Sequence, residues 1–308
     1  MTTNKVRQEI LSKLEEKGYQ GRIVTAKHID DIRADIEKRY RQNLFDQEFY
    51  QERISVFKYS LPTSFEANSI IIVAVPHPQI KVNFTLHERT LSLIIPPTYV
   101  EDTDKKVEEI LEGILNPLRH HLARAKLPLK LLAVYSGLAK YGRNNISYIP
   151  EMGSFYRLVA FYSSLTCDDD NWQELQMMEY CQKCSACLRK CPTGAITSNR
   201  FLLRAERCIT FLNEKPGDIS FPDWLELSWH NCLIGCLRCQ TVCPVNKKYS
   251  PWIEQGPEFS EEETRMLLQR HSLDQLPAQS INKLEKCGMI DYIDVLSRNL
   301  GVFLKTHQ

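Results

Sequence analysis

No stretch of this 308-residue chain is apolar for long enough to cross a bilayer; the longest strongly apolar run, Ile70–Val75, suits a buried strand. The opening residues, Met-Thr-Thr-Asn-Lys-Val-Arg-Gln-Glu, hold neither an apolar h-region nor a twin arginine, so no export signal is expected. Charge of either sign is not in excess: the formal net charge is +1, which draws the whole chain neither to nucleic acid nor to a membrane. Tandem repeats and low-complexity segments are absent, which excludes a repeat array. These absences describe a cytoplasmic protein with no membrane partner.

Cysteine, by contrast, is abundant. Eleven cysteines without an export signal argue for metal ligation in a reducing compartment, not for disulfides. Four fall as Cys181-x-x-Cys184-x-x-Cys187-x-x-x-Cys191-Pro192, and a second set as Cys232-x-x-x-Cys236-x-x-Cys239-x-x-x-Cys243-Pro244. Three thiolates on one tight loop can grip three irons of a cubane, while the fourth cysteine serves a second cluster. Zinc sites pair two C-x-x-C knuckles and have no need of a three-cysteine run closed by Cys-Pro. The duplicated pattern therefore reads as two 4Fe–4S clusters.

Swapped ligation puts one cluster on Cys181, Cys184, Cys187 and Cys243, and the other on Cys236, Cys239, Cys191 and one more thiol. Spacing leaves two candidates for that eighth ligand, Cys208 and Cys232. Cys167 and Cys287 are expected to be small buried side chains.

The first 165 residues mix helical and strand-like periodicity. Val6, Ile10 and Leu14 mark a helix that Gly18 should stop, Gly21–Ala26 a short strand, and Ile29, Ile32 and Ile36 a second helix with a solvated charged face. Ser69–Val75 and Leu91–Ile95 read as strands, and Leu129–Val134 and Tyr156–Tyr162 as apolar stretches around a glycine-bearing loop. An α/β (α+β) domain over 1–165 is expected, then a dicluster ferredoxin-like domain over 166–250 and a short helical segment over 251–308. The cysteine-rich part is too poor in aliphatic residues to form its own core, so its clusters would couple folding to metal binding.

The loop Ser136-Gly137-Leu138-Ala139-Lys140-Tyr141-Gly142-Arg143-Asn144-Asn145, with the turn Pro150-Glu151-Met152-Gly153-Ser154, could bring backbone close to a bound group and offer it polar donors. The order of Gly137, Gly142-Arg143-Asn144, Pro150, Gly153-Ser154, the run Cys181 to Pro192, Arg207-Cys208-Ile209 and Gly235-Cys236 to Lys247 resembles the epoxyqueuosine reductase family, itself related to the reductive dehalogenases.

That resemblance implies a nitroreductase-like first domain binding cobalamin, with Gly137, Tyr141, Gly142, Arg143, Asn144, Gly153 and Ser154 as cofactor-binding candidates, and it supports Cys208 as the eighth ligand. It implies an iron–sulfur oxidoreductase that passes electrons through two clusters to a base-off cobalamin and so reduces a substrate, fed by a ferredoxin or flavodoxin. No Asp-x-His-x-x-Gly surrounds any of the eight histidines, in keeping with a cobalamin that takes no protein ligand. The resemblance would also place an aspartate upstream of the Gly-Leu loop to supply a proton, but Ala123–Lys130 holds no carboxylate. Epoxyqueuosine is therefore not expected as the substrate. The short closing segment, balanced in charge, leads to the further expectation that tRNA is not a partner and that the substrate is an unidentified small molecule.

Tyr135, Tyr141, Arg143, Tyr99 and His77 are the candidate proton donors by neighbourhood, and no catalytic residue is assigned. Two other readings stay open: an electron-transfer or corrinoid-reactivating protein without its own substrate, and an iron–sulfur reductase holding a flavin.

Overall fold

The apolar run at Ile70–Val75 becomes the middle of an antiparallel sheet. In the computed structural model, which describes residues 2–99, 102–168 and 170–306, strand β2 (Ser69–Pro76) lies between β1 (Gln20–Thr25) and β8 (Tyr156–Ser163), and β5 (Leu122–Arg124) closes the far edge. Successive side chains of a strand point to opposite faces. Ile71, Val73 and Val75 meet Val6, Ile10 and Leu14 of helix Thr3–Glu16 and Val107, Leu111 and Leu115 of helix Asp102–Leu115. Ile70, Ile72 and Ala74, on the opposite face, are equally buried, so this strand carries no polar alternation.

The first helix stops as expected. Gly18 adopts φ +75°, which lets the Gly18 and Tyr19 amides return to the carbonyls of Glu15 and Leu14. Helix Ile29–Arg41 buries Ile29, Ile32 and Ile36, and its acidic first turn and basic last turn complement the helix dipole.

These elements belong to the first of two units into which the chain divides, Met1–Pro76 with Asp102–Ser185, and His77–Glu101 with Ala186–Gln308. The second unit builds a smaller sheet in which β3 (Gln79–Leu86) pairs antiparallel with β4 (Arg89–Ile95) and parallel with β9 (Ile253–Phe259). Phe84 and Phe259 stack at 5.0 Å across that parallel pair. Val82, Leu267, Leu284, Val295, Leu296, Leu300 and Phe303 complete the core around them. Ser260 caps helix Glu261–Leu268 through a capping box with Glu263. Cys167 and Cys287 are buried and donate to the carbonyls of Ile23 and Lys283, as small filling side chains should. Among the described residues no helix is long and apolar enough to cross a membrane.

The β3–β4 turn places His87 and Glu88 at φ 49° and 62°, a left-handed pair that glycine or asparagine would hold with less strain. Glu88→Gly is expected to raise stability by about 1 kcal/mol, read as a higher urea midpoint; a lower midpoint would show that the turn is not strained.

His230 is buried between Phe221 and Phe303, at 4.7 and 6.4 Å, and burial, then Arg298 and Arg238, push its pKa down to about 4. Its folded value lies below its unfolded value, so the native state binds the proton later and loses stability as pH falls below about 6.5. Between pH 7 and pH 5 this one group is expected to cost about 2 kcal/mol. Equal urea midpoint shifts in the parent and in His230→Gln over that interval would show that it does not.

Candidate functional site

In the first unit, the glycine-bearing loop is shaped by the protein's own atoms. Gly137 sits at φ +71°, and a Cβ there would stand 2.5 Å from Asn171 Nδ2. A Cβ on Gly142 would stand 2.6 Å from the Tyr148 ring. Strands β6 (Lys140–Tyr141) and β7 (Ser147–Tyr148) flank the turn, and buried Asn144 donates from Nδ2 to Tyr148 Oη at 2.9 Å. Gly153 (φ +59°) exchanges two backbone bonds with Ile149, and Ser154 is buried beside it. The two loop glycines are thus required by neighbouring side chains, and the loop gives no separate sign of a corrin.

One side chain reaches out of this turn. Arg143 donates from Nη2 to the Cys181 carbonyl at 2.6 Å and from Nε to the Cys184 carbonyl at 3.1 Å. The Tyr141 amide bonds the Gln176 carbonyl and the Met178 amide bonds the Tyr141 carbonyl, so the approach to the first cysteine motif lies along the loop as an added strand position. The cofactor candidates and the first two cysteines of the motif are therefore one hydrogen-bonded piece, a juxtaposition that spacing does not reveal.

The five candidate proton donors separate. Tyr99 is buried in the second unit, where its hydroxyl donates to Glu214, and burial, then the Glu214 carboxylate, hold its pKa well above 10. His77 Nδ1 lies 3.0 Å from the Pro78 carbonyl oxygen, and Arg143 is engaged as described. Tyr135 and Tyr141 remain in the first unit, and burial raises the pKa of both. After burial, the groups that act on each are Asp35 and Arg39 of helix Ile29–Arg41, an ion pair at 2.8 Å. Tyr135 also stacks on Trp172 at 5.2 Å, and Trp172 on His28 at 4.0 Å.

The Asp35–Arg39 pair was not legible as part of a site, because an acid and a base four apart on an amphipathic helix read as solvated surface. Next to the carboxylate-free stretch Ala123–Lys130 there is also Asp104, but Arg157 bonds both its oxygens at 2.6 and 2.7 Å and Arg124 adds a third contact.

In the second unit the loops place Cys191, Cys208 and Cys236 together. Burial pushes the Cys236 thiol up to about 12, and the neighbouring sulfurs of Cys208 and Cys191 push the same way. Burial raises the Cys208 thiol as well, at the start of helix Ile209–Asn213, with Thr210 and Phe211 acting in the opposite direction. Cys232 is more deeply buried and is raised well above its ordinary value by burial and then by Cys236.

Isolated buried thiols resist ionisation; bound iron reverses this by supplying the positive charge that thiolates need. The Thr193 hydroxyl oxygen, 3.5 Å from Cys191 Sγ, is a polar neighbour that favours the same form, which fits a thiolate-ligated cluster. No three His, Cys, Asp or Glu side chains converge on a single ion among the described residues.

The scaffold behind these loops is polar. Asn213 Nδ2 donates to the Gly235 carbonyl at 2.9 Å, and Asn299 Nδ2 donates to the carbonyls of Asn213 and Leu233 at 3.0 Å. Arg298 donates to the carbonyls of Leu212, Asn213, Pro216 and Ile219. Both come from the closing helix Ile293–Thr306.

The 4Fe-4S double cluster binding domain family matches residues 180–246, the stretch that carries these loops, which supports iron–sulfur clusters there. The chain is also similar to curated epoxyqueuosine reductases. It is 28% identical over 240 residues to the epoxyqueuosine reductase of Bacillus subtilis (strain 168), covering 73% of this chain and 59% of that protein. It is 36% identical over 117 residues to that of Escherichia coli (strain K12), covering 38% and 29%. The chain thus spans about three-fifths of the length of the Bacillus subtilis relative.

A solved epoxyqueuosine reductase carrying an epoxyqueuosine-modified tyrosine tRNA stem-loop shares the fold, with a TM-score of 0.69, 20% identity, and coverage of 98% of this chain and 82% of that one. A second, from Bacillus subtilis with its catalytic aspartate loop swung out of the active site, has a TM-score of 0.64 at the same identity and coverage.

The expectation that set tRNA aside and left only an unidentified small substrate is corrected by these relatives. A protein of this fold holds a modified tRNA stem-loop, and the curated relatives are named for a nucleoside carried by tRNA. Global charge and tail length were poor guides, because an RNA contact needs only a local surface.

Arg143→Ala leaves two carbonyls of the first cysteine loop without their donor and is expected to cost about 2 kcal/mol, read as faster iron release to a chelator. Arg143→Lys, with one compact ammonium, should recover only part of the loss. Unchanged release from the alanine variant would show that the contact does not hold the loop.

Proposed function

We propose that this chain is an iron–sulfur reductase that delivers electrons through two 4Fe–4S clusters to a reducible group on a modified nucleoside of tRNA. The observation that carries this reading is the neighbourhood of Cys191, Cys208 and Cys236, thiols from three separate segments that swapped ligation assigns to one cluster. With Cys239 they complete the second cluster. Cys181, Cys184, Cys187 and Cys243 would hold the first. Cys208 takes the eighth place on the resemblance carried by Arg207-Cys208-Ile209, and Cys232 is left as a surplus buried thiol.

The first unit, read as nitroreductase-like, is proposed to hold a base-off cobalamin at the loop of Gly137, Tyr141, Gly142, Arg143, Asn144, Gly153 and Ser154. Support comes from the resemblance to the epoxyqueuosine reductases. Cobalamin would supply a strongly reducing cobalt next to a low-potential cluster. The chain's own contributions are distinct: Arg143 fixes the first cysteine loop against the glycine turn, and Tyr135 and Tyr141 keep their phenolic protons because burial raises their pKa. With Ala123–Lys130 free of carboxylates, a proton for the reduced substrate would come from one of these hydroxyls or from water. We place the reaction in the cytoplasm, where eight ligating thiols stay reduced.

Two measurements test this reading. Cys208→Ser is expected to lower iron by about four per chain while Cys232→Ser keeps all eight, on four thiolates per cluster; the reverse result would reassign the eighth ligand. Adding cob(II)alamin to the anaerobically reconstituted protein should change its EPR spectrum to the base-off form, and reduced holoprotein should convert an epoxyqueuosine-modified RNA stem-loop. A bound corrin without turnover would favour a corrinoid-reactivating role, and a flavin spectrum in the purified protein would replace cobalamin altogether.

A further inference from the structure

Charge is close to balanced over the whole chain, but not around the cysteines of the second unit. Residues 186–205 and 227–253 hold four and three arginines and lysines respectively, and no aspartate or glutamate. Arg189 and Lys190, exposed at the end of helix Ala186–Lys190, stand between Cys187 and Cys191. That helix packs on helix Arg238–Thr241. Buried Asn246 ties the following turn to the same helix, donating from Nδ2 to the Gln240 carbonyl at 2.8 Å. It thereby fixes the start of the exposed pair Lys247 and Lys248, which closely follows Cys243.

Beyond the lysines an apolar pair is held out to solvent. Trp252 and Ile253 are 37% and 41% exposed. Their backbone is tied down nonetheless. Buried Gln79 donates from its amide to the Trp252 carbonyl at 3.1 Å and from Nε2 to the Ser250 carbonyl at 2.7 Å. The Trp252 amide donates to the Tyr249 carbonyl at 2.9 Å, and Ile253 opens strand β9. A rigid tryptophan beside a charged rim is the arrangement from which protein interfaces draw most of their affinity.

We propose that Lys190, Lys247 and Lys248 with Trp252 and Ile253 form the docking surface for an acidic electron-carrier protein that holds a flavin or an iron–sulfur cluster. The inference rests on the electron-delivering role of the proposed function. Clusters that reduce a substrate need an outside source of electrons, and Cys243 lies in the chain just before this surface. Phosphates of RNA would satisfy the lysines alone; the aliphatic Ile253 beside Trp252 favours a protein partner. The unopposed positive charge would draw an acidic carrier in and orient it. In each encounter one electron leaves the reduced carrier for a cluster, so the carrier is oxidised by one electron and the cluster reduced by one. No bond forms or breaks and no proton moves in the transfer.

The test is stopped-flow mixing of anaerobically reconstituted holoprotein with flavodoxin hydroquinone, an acidic carrier whose semiquinone absorbance reports each electron that leaves. The second-order rate should fall steeply as salt is raised. Lys247→Glu with Lys248→Glu should slow it about tenfold at low salt, and Trp252→Ala about tenfold at any salt. Iron content and reduction by dithionite should stay at the parent values in both. A rate indifferent to salt and to these substitutions, in protein that dithionite reduces, would overturn the surface and leave the proposed function standing. Clusters that dithionite cannot reduce would overturn the proposed function and the surface with it. Variants that release an RNA stem-loop in a gel-shift assay, yet accept electrons at the parent rate, would assign the patch to nucleic acid and overturn the proposal. Should a variant lose iron, Lys190→Glu on the neighbouring helix reads the same charge, and a parent rate there would count against the docking surface.

Discussion

Backbone carbonyls in the cysteine loops must find donors, and that requirement organises the second unit. Short helical turns such as Ile209–Asn213 and Arg238–Thr241 leave most of their terminal groups unpaired. The side chains of Asn213, Asn299 and Arg298 supply the missing donors, reaching carbonyls from Leu212 to Gly235. Asn213 and Asn299 are almost fully buried, where the loss of either donor would leave a carbonyl unmet at a cost. Tyr99 stands against Gly235, where even a Cβ would come within 2.5 Å of its hydroxyl oxygen, so Gly235 has no room for a side chain. The cysteines of this unit are held by hydrogen bonds behind them and by a small apolar cluster. Cys236 packs against Ile209, Leu212 and Leu225, which corrects the expectation that this stretch has no core of its own.

The closing helices acquire a meaning that their length obscures. Helix Ile293–Thr306 buries Val295, Leu296, Leu300, Val302 and Phe303 in the core of the second sheet while Arg298 and Asn299 grip the loops that carry Cys208 and Cys236. A tail that reads as a shortened appendage is thus part of the cluster scaffold. In the first unit Arg143 does comparable work on the loop of Cys181 and Cys184. Arginine suits both places, because a planar guanidinium reaches several carbonyls at once.

Much of the local structure was legible. Helix Thr3–Glu16 with its stop at Gly18 and the buried strand at Ser69–Pro76 follow from periodicity and from residues whose chemistry is local. Legibility ended where partners lie far apart in the chain. Strand β9 pairs with β3 across more than 160 residues, which draws His77–Glu101 into the unit of the closing helices. Periodicity along a strand says which face is buried and nothing about which strand lies beside it. The site shows the same boundary: Arg143 was visible as a polar donor, but its acceptors are carbonyls, which no residue type announces. The Asp35–Arg39 pair looked like surface until Tyr135 and Tyr141 were placed near it.

The sequence by itself determined the chemistry: two runs of cysteines closed by Cys-Pro can serve clusters because ligand type and spacing are properties of a short loop. The resemblance to the epoxyqueuosine reductases is likewise carried by the order of motifs along the chain. Tertiary structure alone decided which cysteines become neighbours and which side chains hold the loops in place. Those relations depend on contacts between segments tens of residues apart, fixed by burial and by the pairing of backbone polar groups.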